Sequence, residues 1–357
     1  MVQTARSEAT RTALGPTLAR LCREGLDIVC VDADLGYSTS AVKFGQEFPD
    51  RFFPVGVAEQ NMIGVSAGLA ACGKIAFCSS FAVFAPGHCF DQLRMAVAQP
   101  RTNVKLVSSH GGVVTGEDGA SAEALEDLTL MLSMPPFNVI FPADVVEAEQ
   151  AIEVAARTDG PFYIRTLRPK TPVIYDDSGY RFELGRCHRL RDGSDVTLIA
   201  CGELVKAALD AADTLSGEGL SARVLNASSL RPMDREALLA AARETGAIVT
   251  ATRMRPAMMV QACTTFVLRC VASARSAIEC ERFASRRMKN ASRTFATAAI
   301  TIAISPTPGS MSPPPSISRR TAWNTMMPPP MPMIVAATAA EIVSTFPWPY
   351  GWSSSAG

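Results

Sequence analysis

The 357-residue chain has no excess of either charge, with 34 basic residues against 34 acidic ones. That balance argues against a nucleic-acid or anionic-membrane partner. No uninterrupted apolar run approaches the roughly 18–20 residues that span a bilayer. The opening Met1-Val2-Gln3-Thr4-Ala5-Arg6 lacks the charged-then-apolar order of a signal peptide. None of the ten cysteines has the CxxC or Cys/His spacing that suits zinc. Cys30, Cys72, Cys78 and Cys201 lie in apolar runs, where a reduced cysteine serves as a small core residue, and the expectation is a reducing, cytoplasmic setting.

Aspartate is missing altogether from residues 253–357. That stretch holds 11 of the 34 basic residues and 3 of the 34 acidic ones, so the charge balance is a sum of two unlike parts. It also holds 12 of the 24 prolines and 9 of the 15 methionines, but only 3 of the 24 glycines. Pro313-Pro314-Pro315 and Pro328-Pro329-Pro330 exclude regular structure around them, while residues 260–304 could form helix without clear caps. The expectation is an atypical, low-order tail, read as out-of-frame sequence in preference to a natural disordered extension.

Before Thr252 the chain has a clear grammar. Ile28-Val29-Cys30-Val31 is a short apolar run ending in the polar Asp32-Ala33-Asp34. Phe53–Val57, Lys74–Cys78, Val104–Val107, Val139-Ile140 and Phe162–Arg165 repeat the pattern, with helices expected between them at about 59–71, 87–98, 121–131 and from Pro142-Ala143-Asp144 to Arg157. Strands alternating with 10–15-residue helices predict a parallel sheet covered on both faces. Residues 171–194, with Asp176-Asp177-Ser178-Gly179, read as a linker. A second α/β unit over 195–252 has strands at 196–200, 222–225 and 248–250, too few to close its own edges.

The residues with the most chemical content stand after these strands. Glu59, in Val55-Gly56-Val57-Ala58-Glu59-Gln60-Asn61-Met62, opens a helix at the strand end where α/β folds bind ligands. By composition alone it is a helix-start carboxylate favoured by the macrodipole. Phe81 and Phe84 are three apart, a spacing commoner in cores than in sites. The loop His110–Gly119 has four glycines, which let backbone approach a ligand, but it is no glycine-lysine phosphate loop.

Taken in order, Asp32-Ala33-Asp34-Leu35-Gly36, the Glu59 run, Ser79-Ser80-Phe81-Ala82-Val83-Phe84 and Gly116-Glu117-Asp118-Gly119 resemble the pyrimidine-binding domain of transketolases. The likeness extends from about Ala5 to Thr252, and is to the separate C-terminal subunit of split transketolases. It implies a pyrimidine-binding domain over 1–170, a linker over 171–194, a partial transketolase C-terminal domain over 195–252 and the atypical tail over 253–357. It implies thiamine diphosphate as cofactor, held at its aminopyrimidine by Glu59, Phe81, Phe84, Asp34 and Leu35. Glu59 would hydrogen-bond N1′ and favour the imino tautomer that removes the C2 proton, which suits a carboxyl group in a partly apolar pocket. His110 would line the substrate channel and act with Glu59. Asp118 would bind a sugar hydroxyl, and Arg165 and Arg168, near the mouth of the site, a sugar phosphate.

Two departures qualify the likeness. Ala122 stands where the family has a histidine that grips the sugar. The Gly-Asp-Gly motif that holds the diphosphate through Mg2+ or Ca2+ is absent, so the resemblance places that metal on a partner chain, in a two-plus-two assembly. The expected activity is transfer of a two-carbon ketol unit between sugar phosphates. Alternatives are a deoxyxylulose-phosphate synthase-like subunit, an oxo-acid dehydrogenase β-like subunit, or a truncated product without catalysis.

Overall fold

The computed structural model describes residues 6–175, 179–245, 247–252 and 299–304. The first unit is a seven-stranded sheet. Its parallel strands are β2 (Ile28–Asp32), β3 (Phe52–Pro54), β4 (Ile75–Phe81), β5 (Val104–Ser109), β6 (Asn138–Ile140) and β7 (Phe162–Arg165). They run in the order β6-β7-β5-β4-β2-β3. Every residue of β2, β5 and β7 is buried, the signature of a sheet covered on both faces. Two strands outside that order, β1 (Ser7–Ala9) and β8 (Lys170–Pro172), pair antiparallel as a small ribbon.

Helices cover both faces. They are α1 (Leu14–Arg23), α2 (Gly36–Thr39), α3 (Val42–Glu47), α4 (Glu59–Ala71), α5 (Ala85–His88), α6 (Phe90–Gln92), α7 (Asp127–Leu132) and α8 (Val145–Arg157). One apolar cluster joins α1 and α8 to Cys30, Phe77 and Ile164. The other, on the opposite face, joins α4 to Val31, Cys78, Leu106 and Tyr163. The alternation of residues along each strand thus supplies both cores. A single helix expected over 87–98 is instead α5, α6 and a π-helical segment, Leu93–Ala98.

The second unit contains β9 (His188–Arg191), β10 (Val196–Ala200), α9 (Leu204–Gly217), β11 (Ala222–Asn226), β12 (Ser229–Arg231), α10 (Arg235–Glu244), β13 (Ala247–Thr252) and β14 (Ala299–Ile304). Its sheet order is β14-β13-β10-β11-β9. Two expectations are corrected here. The stretch 171–194 is not only linker: β9 pairs antiparallel with β11, and Tyr175, Tyr180 and Phe182 are buried. Residues 299–304 are not helix but strand, paired antiparallel with β13 over six residues. Their Ala-Ile-Thr-Ile-Ala-Ile sequence is rich in β-branched residues, which favours strand. Both edges expected to be open are therefore occupied. The rest of the expected tail, 253–298 and 305–357, lies outside the described residues.

The units interlock. β12, from the second, pairs antiparallel with β6 at the edge of the first sheet. Glu147, in the first turn of α8, accepts from Tyr180 Oη (2.6 Å), Ser228 Oγ (2.6 Å) and Asn226 Nδ2 (2.9 Å), drawing three segments together.

Candidate active site

α4 starts with Glu59, just past the non-helical bend at Ala58. The residue is 5% exposed. Among the described residues its carboxylate accepts no hydrogen bond, and His88 Nδ1, at 3.9 Å from Oε2, is the one basic nitrogen within 4 Å. A buried carboxylate with open acceptor capacity is costly unless a donor completes it. Gln60 Nε2 donates to the His88 carbonyl (3.0 Å), fixing the start of α4 against the end of α5.

The chain returns one helical turn from His88 to Phe84, whose ring is stacked on Phe81 at 5.8 Å between centroids and 12° between planes. Phe81 in turn lies on the His110 ring, at 3.7 Å and 22°. Both phenylalanines are half-buried. Two near-parallel phenyl faces and an unpartnered carboxylate fit a flat, hydrogen-bonding heteroaromatic ring such as an aminopyrimidine.

His110 follows β5 with φ +62°, an uncommon conformation for a residue with a side chain. Its Nδ1 lies 2.7 Å from Ser109 Oγ, and its Nε2 lies 3.6 Å from Asp118 Oδ2. A proton on Nε2 facing the carboxylate, with Nδ1 accepting from the hydroxyl, satisfies both contacts. Burial pushes the imidazole's pKa down to about 4. Arg11 adds to that, Asp118 opposes it, and Arg168 pushes the same way as Arg11. Arg168 Nε lies 3.5 Å from Asp118 Oδ2, and its Nη1 donates to the Thr115 carbonyl (2.9 Å).

Arg11 is a residue the sequence reading missed. It sits in the 3-10 turn Thr10–Ala13 and donates to the Ser38 carbonyl (2.6 Å). Burial lowers its pKa, the charge of Arg168 lowers it further, and Asp118 opposes both. Arg11, Arg168 and Asp118 all act on the His110 imidazole, a charged corner in which Arg168 is paired with Asp118 and Glu117. Nothing in Thr10-Arg11-Thr12 signals this, because the neighbours come from residues far along the chain.

Asp34 and Leu35 stand at the end of β2, the first exposed with φ +66° and the second half-buried. Burial pushes the Asp32 carboxyl's pKa up to about 6 against the backbone N–H groups of Gly36, Asp34 and Leu35, which favour the charged form, and its Oδ1 has no hydrogen-bond partner. Ala122 is buried on the loop that carries Asp118. The expectation that Arg165 stands at the mouth of the site is corrected. Its side chain is 1% exposed and pairs with Asp127, Nε to Oδ2 at 3.3 Å. It ends a central strand whose side chains are enclosed on both faces, whereas Arg168 lies three residues on, past the end of the sheet.

The structure therefore strings Glu59, Phe84, Phe81, His110, Asp118 and Arg168 along the carboxyl ends of the parallel strands. Among the described residues no three His, Cys, Asp or Glu side chains come together as metal ligands, and no helix is long and apolar enough to cross a membrane.

Comparison with known proteins finds the family of the chain. The profile of the transketolase pyrimidine-binding domain matches residues 6–173, and that of the transketolase C-terminal domain matches 185–278. A putative transketolase C-terminal section from Methanocaldococcus jannaschii is 44% identical over 227 residues, covering 63% of this chain and 72% of that protein. A 6-deoxy-6-sulfo-D-fructose transketolase subunit from a Clostridium species is 44% identical over 224 residues, covering 63% and 69%. A solved split-gene transketolase, described as an inactive β4 tetramer, superposes with a TM-score of 0.66 at 41% identity over 73% of this chain and 86% of that one. The chain belongs to the transketolase family and carries its pyrimidine-binding domain followed by its C-terminal domain.

Proposed function

We propose that the chain is the pyrimidine-binding subunit of a thiamine-diphosphate-dependent transketolase, moving a two-carbon ketol unit between anionic sugars. The observation that carries the reading is Glu59, a buried carboxylate without a donor, on the same rim as the stacked Phe81 and Phe84. Thiamine diphosphate, when bound, supplies a carbanion-stabilising centre for breaking a carbon–carbon bond next to a carbonyl.

Each residue then has a task. Glu59 holds a proton at N1′ of the aminopyrimidine. Phe84 and Phe81 orient the ring and keep water from it, and the loop Asp34-Leu35, fixed by Asp32, borders it. His110, kept neutral, presents Nε2–H to a substrate oxygen, and Asp118 accepts from a sugar hydroxyl. Arg11 and Arg168 hold the charged end of the sugar. That corner recognises negative charge, not phosphorus as such, which agrees with a relative named for a sulfo-sugar. Ala122 leaves one family contact to the sugar unfilled, which puts ordinary ketose specificity in doubt.

The sequence has no Gly-Asp-Gly, so the diphosphate and its Mg2+ or Ca2+ belong to a partner subunit, in a two-plus-two assembly. The split-gene relative, inactive as a tetramer of one chain, supports that need. Cys22, Cys30, Cys72, Cys78 and Cys89 are free thiols, in keeping with a cytoplasmic site of action. The domain limits proposed from the sequence are 1–170, 171–194 and 195–252, with 253–357 apart, and β9 and β14 are strands that the flanking stretches lend to the sheet of 195–252. The test is co-expression with a diphosphate-binding transketolase subunit and a coupled assay with ketose phosphates and sulfonates. Thiamine-dependent ketol transfer by the pair and by neither chain alone is expected. An assembled pair inactive on every such donor would overturn the reading.

A further inference from the structure

One buried pair of charges is not used by the proposed chemistry. Asp127, at the start of α7, and Arg165, at the end of β7, are each 1% exposed in their side chains. Arg165 Nε faces Asp127 Oδ2 at 3.3 Å, and Tyr163 Oη donates to that same oxygen at 2.7 Å. The guanidinium lies over the Phe141 ring, 4.7 Å from its centroid. Its Nη2 donates to the Ala124 carbonyl at 3.2 Å.

Ala124 is also where the substrate loop closes. Gly112 N donates to the same carbonyl at 2.8 Å, and Gly111 bridges to Ala124. The loop between these points carries Asp118 and Ala122, and His110 stands just before its neck. Arg165 lies flat against that neck. A Cβ on Gly111 would fall 1.9 Å from Nε, and one on Gly112 would fall 2.7 Å from Nη2. Both positions therefore need glycine while Arg165 keeps its place, and Gly112 also has φ +78°.

A buried ion pair adds little to stability relative to an apolar pair of the same size, because both charges lose their water. What it adds here is direction. The fork of one guanidinium is aimed by Asp127 and delivers a hydrogen bond to the carbonyl that closes the loop. We propose that Asp127 and Arg165 are positioning residues for the substrate loop 112–123, acting through Gly111, Gly112 and Ala124 and touching no substrate. The proposal rests on the functional reading above for what the loop does, but not for how it is held.

The test has two arms. In the full chain alone, amide hydrogen exchange is compared for the parent and Asp127→Asn, which keeps an acceptor for Tyr163 and removes the charge. The expected result is exchange at least about tenfold faster in the loop segment around 112–118, with β4 and β5 unchanged. In the assembly with the diphosphate-binding partner, Asp127→Asn should raise KM for the anionic sugar by roughly tenfold while kcat changes less than about threefold. Tyr163→Phe, which leaves both charges in place, should shift both readouts in the same direction by less, and it decides the matter if Asp127→Asn does not fold. Unchanged loop exchange in the variant that folds would overturn the proposal, as would a fall in kcat at constant KM. An assembly without any ketol transfer would overturn the functional reading alone, and the exchange arm would then decide the clamp.

Discussion

Glu59 is seated where a carboxylate is both favoured and left incomplete. The start of α4 attracts negative charge, and burial leaves little of the water that would satisfy it. Glu59→Gln keeps the shape and loses the ability to hold a proton at N1′. In the assembled enzyme this variant should assemble normally and lose nearly all turnover. Activity within about tenfold of the parent, about 1.4 kcal/mol in barrier, would remove Glu59 from that role.

His110 makes a different kind of prediction, about pH. Its pKa falls from 6.5 to about 4 in the folded chain, chiefly through burial. The unfolded chain thus binds the proton more readily between those values. The stability this group contributes is fully present above about pH 6.5 and is lost as pH falls toward about 4. Urea midpoints across that window should drop more steeply for the parent than for His110→Gln, and turnover should show no step from this residue between about pH 5.5 and 8. Equal slopes would place the imidazole in a wetter setting. At this scale the sequence was legible where a motif carried the residue, as with Glu59, Phe84 and Asp118. It was not legible for Arg11, which has no motif, nor for the contrast between Arg165 and Arg168. Those two lie three apart, and only the point at which the sheet ends decides that one turns inward.

Among the elements, α8 was the most legible, since Pro142-Ala143-Asp144 before an apolar-periodic run is a helix start. The structure adds that Asp144 does more than cap. Its Oδ1 accepts from Glu147 N (2.9 Å), and its Oδ2 accepts from Ile174 N (2.6 Å) and Tyr175 N (2.9 Å). One buried carboxylate thus ends a loop, starts a helix and holds the segment leaving the first sheet. Asp144→Ala should cost about 2 kcal/mol or more, a cap plus two buried amides left without acceptors. Urea denaturation should show a midpoint lower by about 1 M, and Asp144→Asn should recover part of it. A midpoint shift under about 0.3 M would mean that these amides find other partners. The elements the sequence hid were edge strands. β9 has one apolar residue in four, and β12 is three residues long and pairs with a sheet built mostly by another part of the chain. Neither carries a periodic pattern long enough to be seen, because an edge strand is specified by its partner more than by its own side chains.

For the whole molecule, the interlocked units bear on what can bind. β12 completes the first sheet, and Glu147 ties Tyr180, Asn226 and Ser228 to α8, so the second unit braces the first from the side of β6. The rim that carries Glu59, Phe84 and His110 offers a seat for one flat ring and a corner for one anionic sugar. Among the described residues it offers no cluster of metal ligands. A cofactor with a diphosphate tail takes much of its binding energy from the metal and donors around that tail, and an aminopyrimidine alone contributes one or two hydrogen bonds and a stacked face. The chain by itself is therefore expected to bind thiamine diphosphate no tighter than about millimolar, roughly 4 kcal/mol, with or without Mg2+. Titration calorimetry on the purified chain, repeated after adding a diphosphate-binding partner, checks this. Binding should appear, and become magnesium-dependent, only with the partner present. Micromolar, magnesium-dependent binding to the chain alone would mean that it holds the diphosphate itself, and the division of the site between two subunits would have to be abandoned.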